Sequence, residues 1–155
     1  MTSEITLIVN GTSGAVPVAD TTLLLDALRQ GFGVTSVREG CGVGACGACT
    51  VLADGRSVSS CLALASRYEG QELTTADGLP ENDPVVSAFV DSGAMQCGYC
   101  IPGFVLMVKE LLAENALPSD DEIREHLEGN ICRCATYPEI TKAVRLAATR
   151  IKGGS

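Results

Sequence analysis

The stretch Cys41-Gly42-Val43-Gly44-Ala45-Cys46-Gly47-Ala48-Cys49 places three cysteines within nine residues, and Cys61 follows it with the spacing C-x11-C. The opening spacing, C-x4-C-x2-C, is that of cysteine ligands in one class of [2Fe–2S] proteins. The glycines between the cysteines predict tight turns with positive φ, because glycine adopts these without a Cβ clash. Their bare backbone also lets N–H groups approach anionic sulfur. The stretch therefore predicts a loop around an iron–sulfur cluster held by Cys41, Cys46, Cys49 and Cys61.

Eight cysteines in 155 residues have two other interpretations. A disulfide framework is typical of small secreted chains, but residues 1–10 alternate like a strand and lack the apolar core of a signal peptide. Structural zinc sites normally pair two C-x2-C units, whereas the first pair here has an additional cysteine upstream and a lone partner downstream. Both alternatives remain open, and the spacing favours iron and sulfide.

The composition excludes several classes of partner. The formal net charge is −8 and the pI is near 4.5, whereas nucleic-acid phosphates require a basic face. No Trp is present and aromatic residues make up only 4% of the chain, which argues against base stacking. No apolar run approaches the roughly 20 residues of a membrane span. We therefore expect no nucleic acid, no membrane span and a cytoplasmic location, where thiols stay reduced.

Residues 1–77 predict a small α+β domain built around one sheet. Asn10-Gly11 and Asp54-Gly55 predict hairpin turns, and Pro17 predicts that its strand lies at a sheet edge or ends there. A helix is expected from Thr21 or Thr22 to Gln30, with Gly31 as its C-terminal cap. The expected strands cover residues 5–10, 15–19, 50–53, 57–60 and 73–75, and residues 34–37 are expected to be extended.

The chain beyond residue 77 predicts a linker followed by helices. Residues 78–84 are rich in turn formers and acids, and residues 85–155 form the second predicted domain. Ser119 and Glu122 have the spacing of a capping box. The expected helices are Val85–Ser92, Ile101–Asn115, Ser119–Glu128 and Pro138–Ile151, with a frayed tail at residues 153–155.

A second set of cysteines lies in the predicted helical domain, as Cys97-Gly-Tyr-Cys100 and Cys132-Arg-Cys134. Each pair precedes a predicted helix, with Pro102 and Pro138 in the first turns. Helix N-termini carry partial positive charge and free N–H groups, which favour an anionic cluster. These four thiols predict a second [2Fe–2S] cluster, and the two clusters use all eight cysteines.

No residue pattern predicts substrate chemistry within this chain. His126 is the only histidine, and its acidic neighbours on a predicted helix favour a solvent-exposed position. The sequence has neither a GxGxxG fingerprint nor a phosphate-binding loop. We therefore expect no catalytic residue and a chain that carries electrons.

The two cysteine quartets, with Gln96 directly before Cys97 and Asn130-Ile131 before Cys132, resemble the xanthine dehydrogenase (molybdenum hydroxylase) family. The resemblance is to the small iron–sulfur subunit of three-subunit members and covers nearly the whole chain. It implies an α+β protein with an N-terminal β-grasp, plant-ferredoxin-like [2Fe–2S] domain. A C-terminal four-helix-bundle [2Fe–2S] domain, special to the family, would follow it.

The resemblance also implies partners and a route for electrons. Electrons would pass from a molybdenum cofactor to the C-terminal cluster, then to the N-terminal cluster and to FAD. The molybdopterin would be bound by a large partner subunit and FAD by a medium one, in a dimer of heterotrimers. Gln96 would hydrogen-bond the pterin, and Cys134 would lie against it as well as bind iron. Gln96 also fits a loop amide that caps the following helix.

Two short stretches depart from the family pattern without affecting a cysteine. Ile101 stands where the family often has Thr, and Ala135-Thr136 stands where it often has Thr-Gly.

Two functions of other classes are also compatible with the sequence. One is a free-standing ferredoxin with two clusters, and the other is a zinc-stabilised interaction module without a redox role.

Overall fold

A mixed sheet forms the N-terminal half of the computed structural model, which describes residues 2–154. Its strands lie in the order β2-β1-β5-β3-β4; β1 pairs with β5 in parallel, and the other neighbours pair antiparallel. The Asn10-Gly11 and Asp54-Gly55 turns have positive φ, as the hairpin prediction requires. The strands are β1 (Thr2–Val9), β2 (Thr12–Ala19), β3 (Thr50–Ala53), β4 (Arg56–Ser59) and β5 (Glu72–Thr74).

One helix, α1 (Leu24–Phe32), packs against this sheet and closes the first hydrophobic core. Leu24, Leu25 and Leu28 on its inner face are buried with Leu7 and Leu73 of the sheet. A mixed sheet covered by a single helix is the β-grasp arrangement, which confirms the predicted fold of this half.

Four helices form the C-terminal half around a second, separate core. The apolar residues of each helix recur at helical spacing on the face that meets this core. Phe89 and Phe104 are the largest side chains buried in the core. Ser119 and Glu122 form the predicted capping box. The helices are α2 (Pro84–Asp91), α3 (Ile101–Glu114), α4 (Asp120–Leu127) and α5 (Tyr137–Gly153), which confirms the four-helix bundle.

The two halves are in direct contact, because α3 packs against the β3–β4 hairpin. Glu110 on α3 is 8% exposed, and its Oε1 accepts a hydrogen bond from the N–H of Ser57 at 2.7 Å. None of the helices within residues 2–154 combines the length and apolar character needed to cross a membrane.

The local boundaries differ from the prediction at several places. Helix α1 begins at Leu24, because the Thr22 hydroxyl accepts from the N–H of Ala19 in the preceding turn. The helix continues through Gly31, and Gly33, with φ of 65°, is its C-terminal cap. Residues 34–37 are not a strand, and α5 extends through Gly153, which was expected to be frayed. Pro17 lies on β2, an edge strand, as predicted.

Asp83 is the residue we expect to matter most for docking α2 on α3. It is 7% exposed, and its Oδ1 accepts from the N–H groups of Val85 and Val86 at the start of α2. Its Oδ2 accepts from Lys109 of α3 at 2.6 Å. Replacement Asp83→Ala removes the cap and the ion pair, so the free energy of unfolding should fall by about 2 kcal/mol.

The measurement is the urea midpoint of the cluster-loaded chain, followed by far-UV circular dichroism. Asp83→Asn keeps a capping oxygen and should lose less, while Glu81→Ala, exposed in the same segment, should change little. Equal effects of Asp83→Ala and Glu81→Ala would contradict this account of the α2 terminus.

Candidate iron–sulfur sites

The loop that carries the first three cysteines has the predicted backbone. Gly42, Gly44 and Gly47 have φ of 65°, 72° and 70°. This curvature turns the N–H groups of Val43 and Ala45 toward Cys41 Sγ, at 3.4 and 3.2 Å. These backbone donors lower the pKa of Cys41 to about 6, so the loop favours the thiolate that binds metal.

The thiols of the first quartet associate as two pairs. Cys46 donates to Cys41 Sγ within the loop. Cys61 follows β4 and is paired with Cys49, which precedes β3. Ser60 holds the two strand ends together, because its hydroxyl donates to the Cys49 carbonyl at 2.7 Å. Burial, with the neighbouring Cys49, raises the pKa of Cys61 to about 11, so its ionisation requires a nearby positive charge such as iron.

The second quartet is also arranged as two pairs, at the starts of two helices. Cys97 pairs with Cys134, and Cys100 pairs with Cys132. Cys100 is the N-cap of α3, and burial raises its pKa to about 12. Burial also opposes ionisation of Cys132, but Thr136, at 3.2 Å from its Sγ, helps to hold its pKa below the ordinary value. Thr136 is the N-cap of α5.

The paired arrangement fits a [2Fe–2S] cluster at each quartet. Such a cluster takes four cysteine thiolates, two at each iron. Within residues 2–154 no three His, Cys, Asp or Glu side chains converge on a position for one metal ion, and all eight cysteines are free of disulfides. Gly40 leaves room for the Cys46 thiol, because a Cβ at position 40 would lie 2.8 Å from Cys46 Sγ.

The two cysteine loops touch each other where the halves of the molecule meet. The N–H of Ile131 donates to the Cys46 carbonyl at 3.0 Å, which joins the residue before Cys132 to a cysteine of the first quartet. The buried Asn130 amide donates to the Gly47 carbonyl at 3.3 Å. A Cβ on Gly103, in the first turn of α3, would collide with the same carbonyl oxygen. The loops are therefore joined by one direct backbone hydrogen bond and by the Asn130 side chain.

Several supporting residues were not found by sequence reasoning. Asn130 bridges the loops, and the Tyr137 hydroxyl accepts from the N–H of Cys132 at 2.8 Å. Ala135 has φ of 61°, an uncommon conformation for a residue with a Cβ, in the turn between Cys134 and α5. In the sequence, Asn130 belongs to the resemblance, and the residue before Pro138 stands at the start of a predicted helix. Neither signal identifies a hydrogen-bond partner.

The structure places Gln96 beside the second quartet and His126 between two helices. Gln96 is exposed and its Nε2 lies 3.4 Å from the Cys134 carbonyl oxygen, so its amide reaches the second quartet instead of capping α3. The expectation of a solvent-exposed His126 was wrong. Its side chain is 19% exposed, and its Nε2 lies 3.4 Å from Glu110 Oε2, at the contact between α3 and α4.

Comparisons with known proteins agree with this geometry. Residues 7–79 match the family described as 2Fe-2S iron-sulfur cluster binding domain, and residues 75–145 match the [2Fe-2S] binding domain family. The nicotinate dehydrogenase small FeS subunit of Eubacterium barkeri is 42% identical, with 94% of this chain and 95% of that one covered. The xanthine dehydrogenase iron-sulfur-binding subunit of Escherichia coli O157:H7 is 42% identical, with 88% of each covered.

Solved structures show the same fold. Quinoline 2-oxidoreductase from Pseudomonas putida 86 has a chain with a TM-score of 0.92 at 37% identity, covering 99% of this chain and 98% of that one. The aldehyde oxidoreductase from Desulfovibrio desulfuricans ATCC 27774 has a TM-score of 0.92 at 42% identity. The match covers 97% of this chain but only 17% of that one, so this chain corresponds to one part of a larger enzyme.

The fold and the two paired quartets define an iron–sulfur protein with two [2Fe–2S] clusters that transfers electrons. The relatives make the class more specific. The chain belongs to the family of small iron–sulfur subunits of molybdenum hydroxylases, which includes the xanthine dehydrogenase subunit, and it is the electron-transfer subunit of a molybdenum-containing oxidoreductase.

The contact between the loops makes Gly103 a sharp test of the junction. Alanine in a helix interior is normally favoured over glycine by about 1 kcal/mol. Here the added methyl group would meet the backbone oxygen of Gly47, so Gly103→Ala should lower the free energy of unfolding by about 2 kcal/mol. Thermal unfolding followed by visible cluster absorbance measures the loss.

Gly129→Ala is the matched control, because nothing lies within 4 Å of the Cβ position at Gly129. Its unfolding temperature should stay close to that of the unmodified chain. Stabilisation by Gly103→Ala would mean that the two loops do not meet as closely as described.

Proposed function

We propose that Cys41, Cys46, Cys49 and Cys61 hold the N-terminal cluster and that Cys97, Cys100, Cys132 and Cys134 hold the C-terminal cluster. The observation that carries this assignment is the association of each quartet as two thiol pairs, one pair for each iron. When bound, each cluster accepts and releases one electron at a time. The chain fixes the two sites next to each other through the Ile131–Cys46 hydrogen bond.

The domains divide, in this proposal, into residues 1–77, a linker at 78–84 and residues 85–155. Two separate hydrophobic cores support the division. The segment between them contains a short 3₁₀ turn at Ala76–Gly78 and the Asp83 cap of α2. Asp77 anchors the start of the segment, because its carboxylate accepts from the hydroxyl of Ser36.

Gln96 and Cys134 face the pterin of a large molybdopterin-binding subunit in this proposal. The support is their position: Gln96 and Cys97 are exposed, and the Gln96 amide reaches the Cys134 carbonyl at 3.4 Å. Exposed apolar side chains flank the same end, with Met95 42%, Ile131 52% and Tyr137 44% exposed. Large apolar side chains exposed beside a functional site favour an interaction surface there. A free-standing ferredoxin would leave it in water.

A medium FAD-binding subunit covers the loop of the first quartet in this proposal. Val43, 69% exposed, follows Cys41 in the loop, and Leu62, 59% exposed, lies against Gly44 of the same loop; Cys41 itself is partly exposed. These residues supply an apolar rim around the proposed exit for electrons. The complete assembly is proposed to be a cytoplasmic dimer of such heterotrimers. The cytoplasmic assignment rests on the eight free thiols, which that compartment keeps reduced.

Purification of the tagged chain from its native cells tests this proposal. A molybdopterin subunit and an FAD subunit should copurify, with about four irons for each copy of the chain. A chain recovered as a monomer with both clusters would favour the free-standing ferredoxin. Zinc in place of iron would favour the interaction module.

Cysteine replacements test the ligand assignment. Cys49→Ser should abolish one [2Fe–2S] signal in the electron paramagnetic resonance spectrum of the reduced complex, and Cys100→Ser should abolish the other. Each variant is the control for its partner, because each cysteine belongs to a different quartet. Cys49→Ser should still permit reduction by substrate but stop electron delivery to FAD. Loss of the same signal in both variants would contradict the two quartets.

Gln96→Ala tests the pterin contact. Both cluster signals should remain, because Gln96 supplies no thiolate, while the rate of cluster reduction by substrate should fall several-fold in stopped-flow measurements. Gln71→Ala is the control, since that amide donates to the Arg67 carbonyl in the N-terminal half, away from Cys134. An unchanged reduction rate in Gln96→Ala would exclude the proposed role.

A further inference from the structure

Arg38 connects the entrance of one cysteine loop to the inside of the other. It lies three residues before Cys41, and its Nη1 donates to the carbonyl oxygens of Gly98 and Tyr99 at 2.6 and 3.1 Å. Gly98 and Tyr99 are the two residues between Cys97 and Cys100. A cationic side chain from the first loop therefore binds the backbone inside the second quartet. Charge-assisted hydrogen bonds of this kind are about twice as strong as neutral ones.

One peptide unit transmits this contact to sulfur. The Gly98 carbonyl and the Tyr99 N–H belong to the same peptide group, and that N–H donates to Cys97 Sγ. Gly98 has φ of 77°, so the peptide is turned with its oxygen toward Arg38 and its N–H toward the thiol. Hydrogen bonds in a chain polarise one another, so a cation at the carbonyl strengthens the donor at the other end.

We propose that Arg38 sets the reduction potential of the C-terminal cluster by polarising the Gly98–Tyr99 peptide that donates to Cys97. The proposal rests on the ligand assignment given above and makes Arg38 a positioning residue. The reduced cluster is the more negative state, so a positive charge and a stronger N–H···S hydrogen bond both stabilise it. The contact therefore raises the potential of the cluster that is proposed to receive electrons first.

The Arg38 side chain is held in place from the other side. Its guanidinium lies 5.4 Å from the centre of the Tyr99 ring, a cation–π contact. The Tyr99 hydroxyl donates to the Glu39 carbonyl at 2.7 Å, which ties the second loop to the residue after Arg38. Within residues 2–154 Arg38 forms no ion pair, so no carboxylate neutralises its charge there.

The test is a redox titration of the complete complex, with each cluster followed by its own electron paramagnetic resonance signal. Arg38→Gln removes the charge and should shift the potential of the C-terminal cluster to a more negative value. The N-terminal cluster should shift less, because the hydrogen bonds of the Arg38 side chain are made to the second loop. Signals are assigned to clusters by the Cys49→Ser and Cys100→Ser variants.

Two further variants separate polarisation from simple fastening of the loops. Arg38→Lys keeps the charge but presents one ammonium group, so the potential should shift in the same direction by less; a positive shift, or one as large as that of Arg38→Gln, would overturn the proposal. Tyr99→Phe removes only the hydrogen bond to Glu39 and should leave the potential nearly unchanged. Should Arg38→Gln lose the C-terminal cluster, the Lys and Phe variants still decide between the two roles.

The proposal fails if Arg38→Gln leaves the C-terminal potential unchanged, if both clusters shift equally, or if Tyr99→Phe has the same effect as Arg38→Gln. These outcomes differ from failure of the ligand assignment. If the ligand assignment fails, the unmodified complex does not show two distinct [2Fe–2S] signals, or Cys49→Ser and Cys100→Ser abolish the same signal.

Discussion

The hydrogen bond from the Ile131 N–H to the Cys46 carbonyl is the contact on which the arrangement of the molecule depends. It joins two loops that come from different hydrophobic cores and from positions 85 residues apart in the chain. The approach is possible because Gly47 and Gly103 have no side chain where the backbones meet. The buried Asn130 amide then fills the remaining space and satisfies the Gly47 carbonyl. An electron-transfer subunit requires this proximity, since its two clusters must exchange electrons directly.

The local features of the protein were predictable because short sequence patterns determine them. The cysteine spacing predicted two cysteine loops, and the positive φ angles at Gly42, Gly44 and Gly47 follow from the need to curl the backbone around sulfur. The hairpin at Asp54-Gly55 and the capping box at Ser119 each depend on residues within four positions of one another. In each of these patterns the interacting residues are neighbours in the chain, so the sequence alone is enough to predict the local structure.

Most of the features that were missed involve residues distant in sequence. Arg38 binds Gly98 across 60 positions and Asn130 binds Gly47 across 83, and no spacing rule relates such pairs. His126 has acidic neighbours that suggest exposure, yet α4 packs it beside Glu110 of α3. The start of α1 was misplaced for a local reason, because Thr22 uses its hydroxyl in the preceding turn rather than as a helix cap. Tertiary contacts therefore decided the outcomes at Arg38, Asn130 and His126.

The magnetic interaction between the two clusters in the fully reduced complex is the most direct test of the junction. Both quartets supply a residue to one hydrogen-bonded contact, so the two paramagnetic centres should lie close enough to split each other's signals at low temperature. The account predicts that these splittings appear in the fully reduced complex and are absent when only one cluster is reduced. Two unsplit signals at full reduction would contradict the central claim that the cluster loops are in contact.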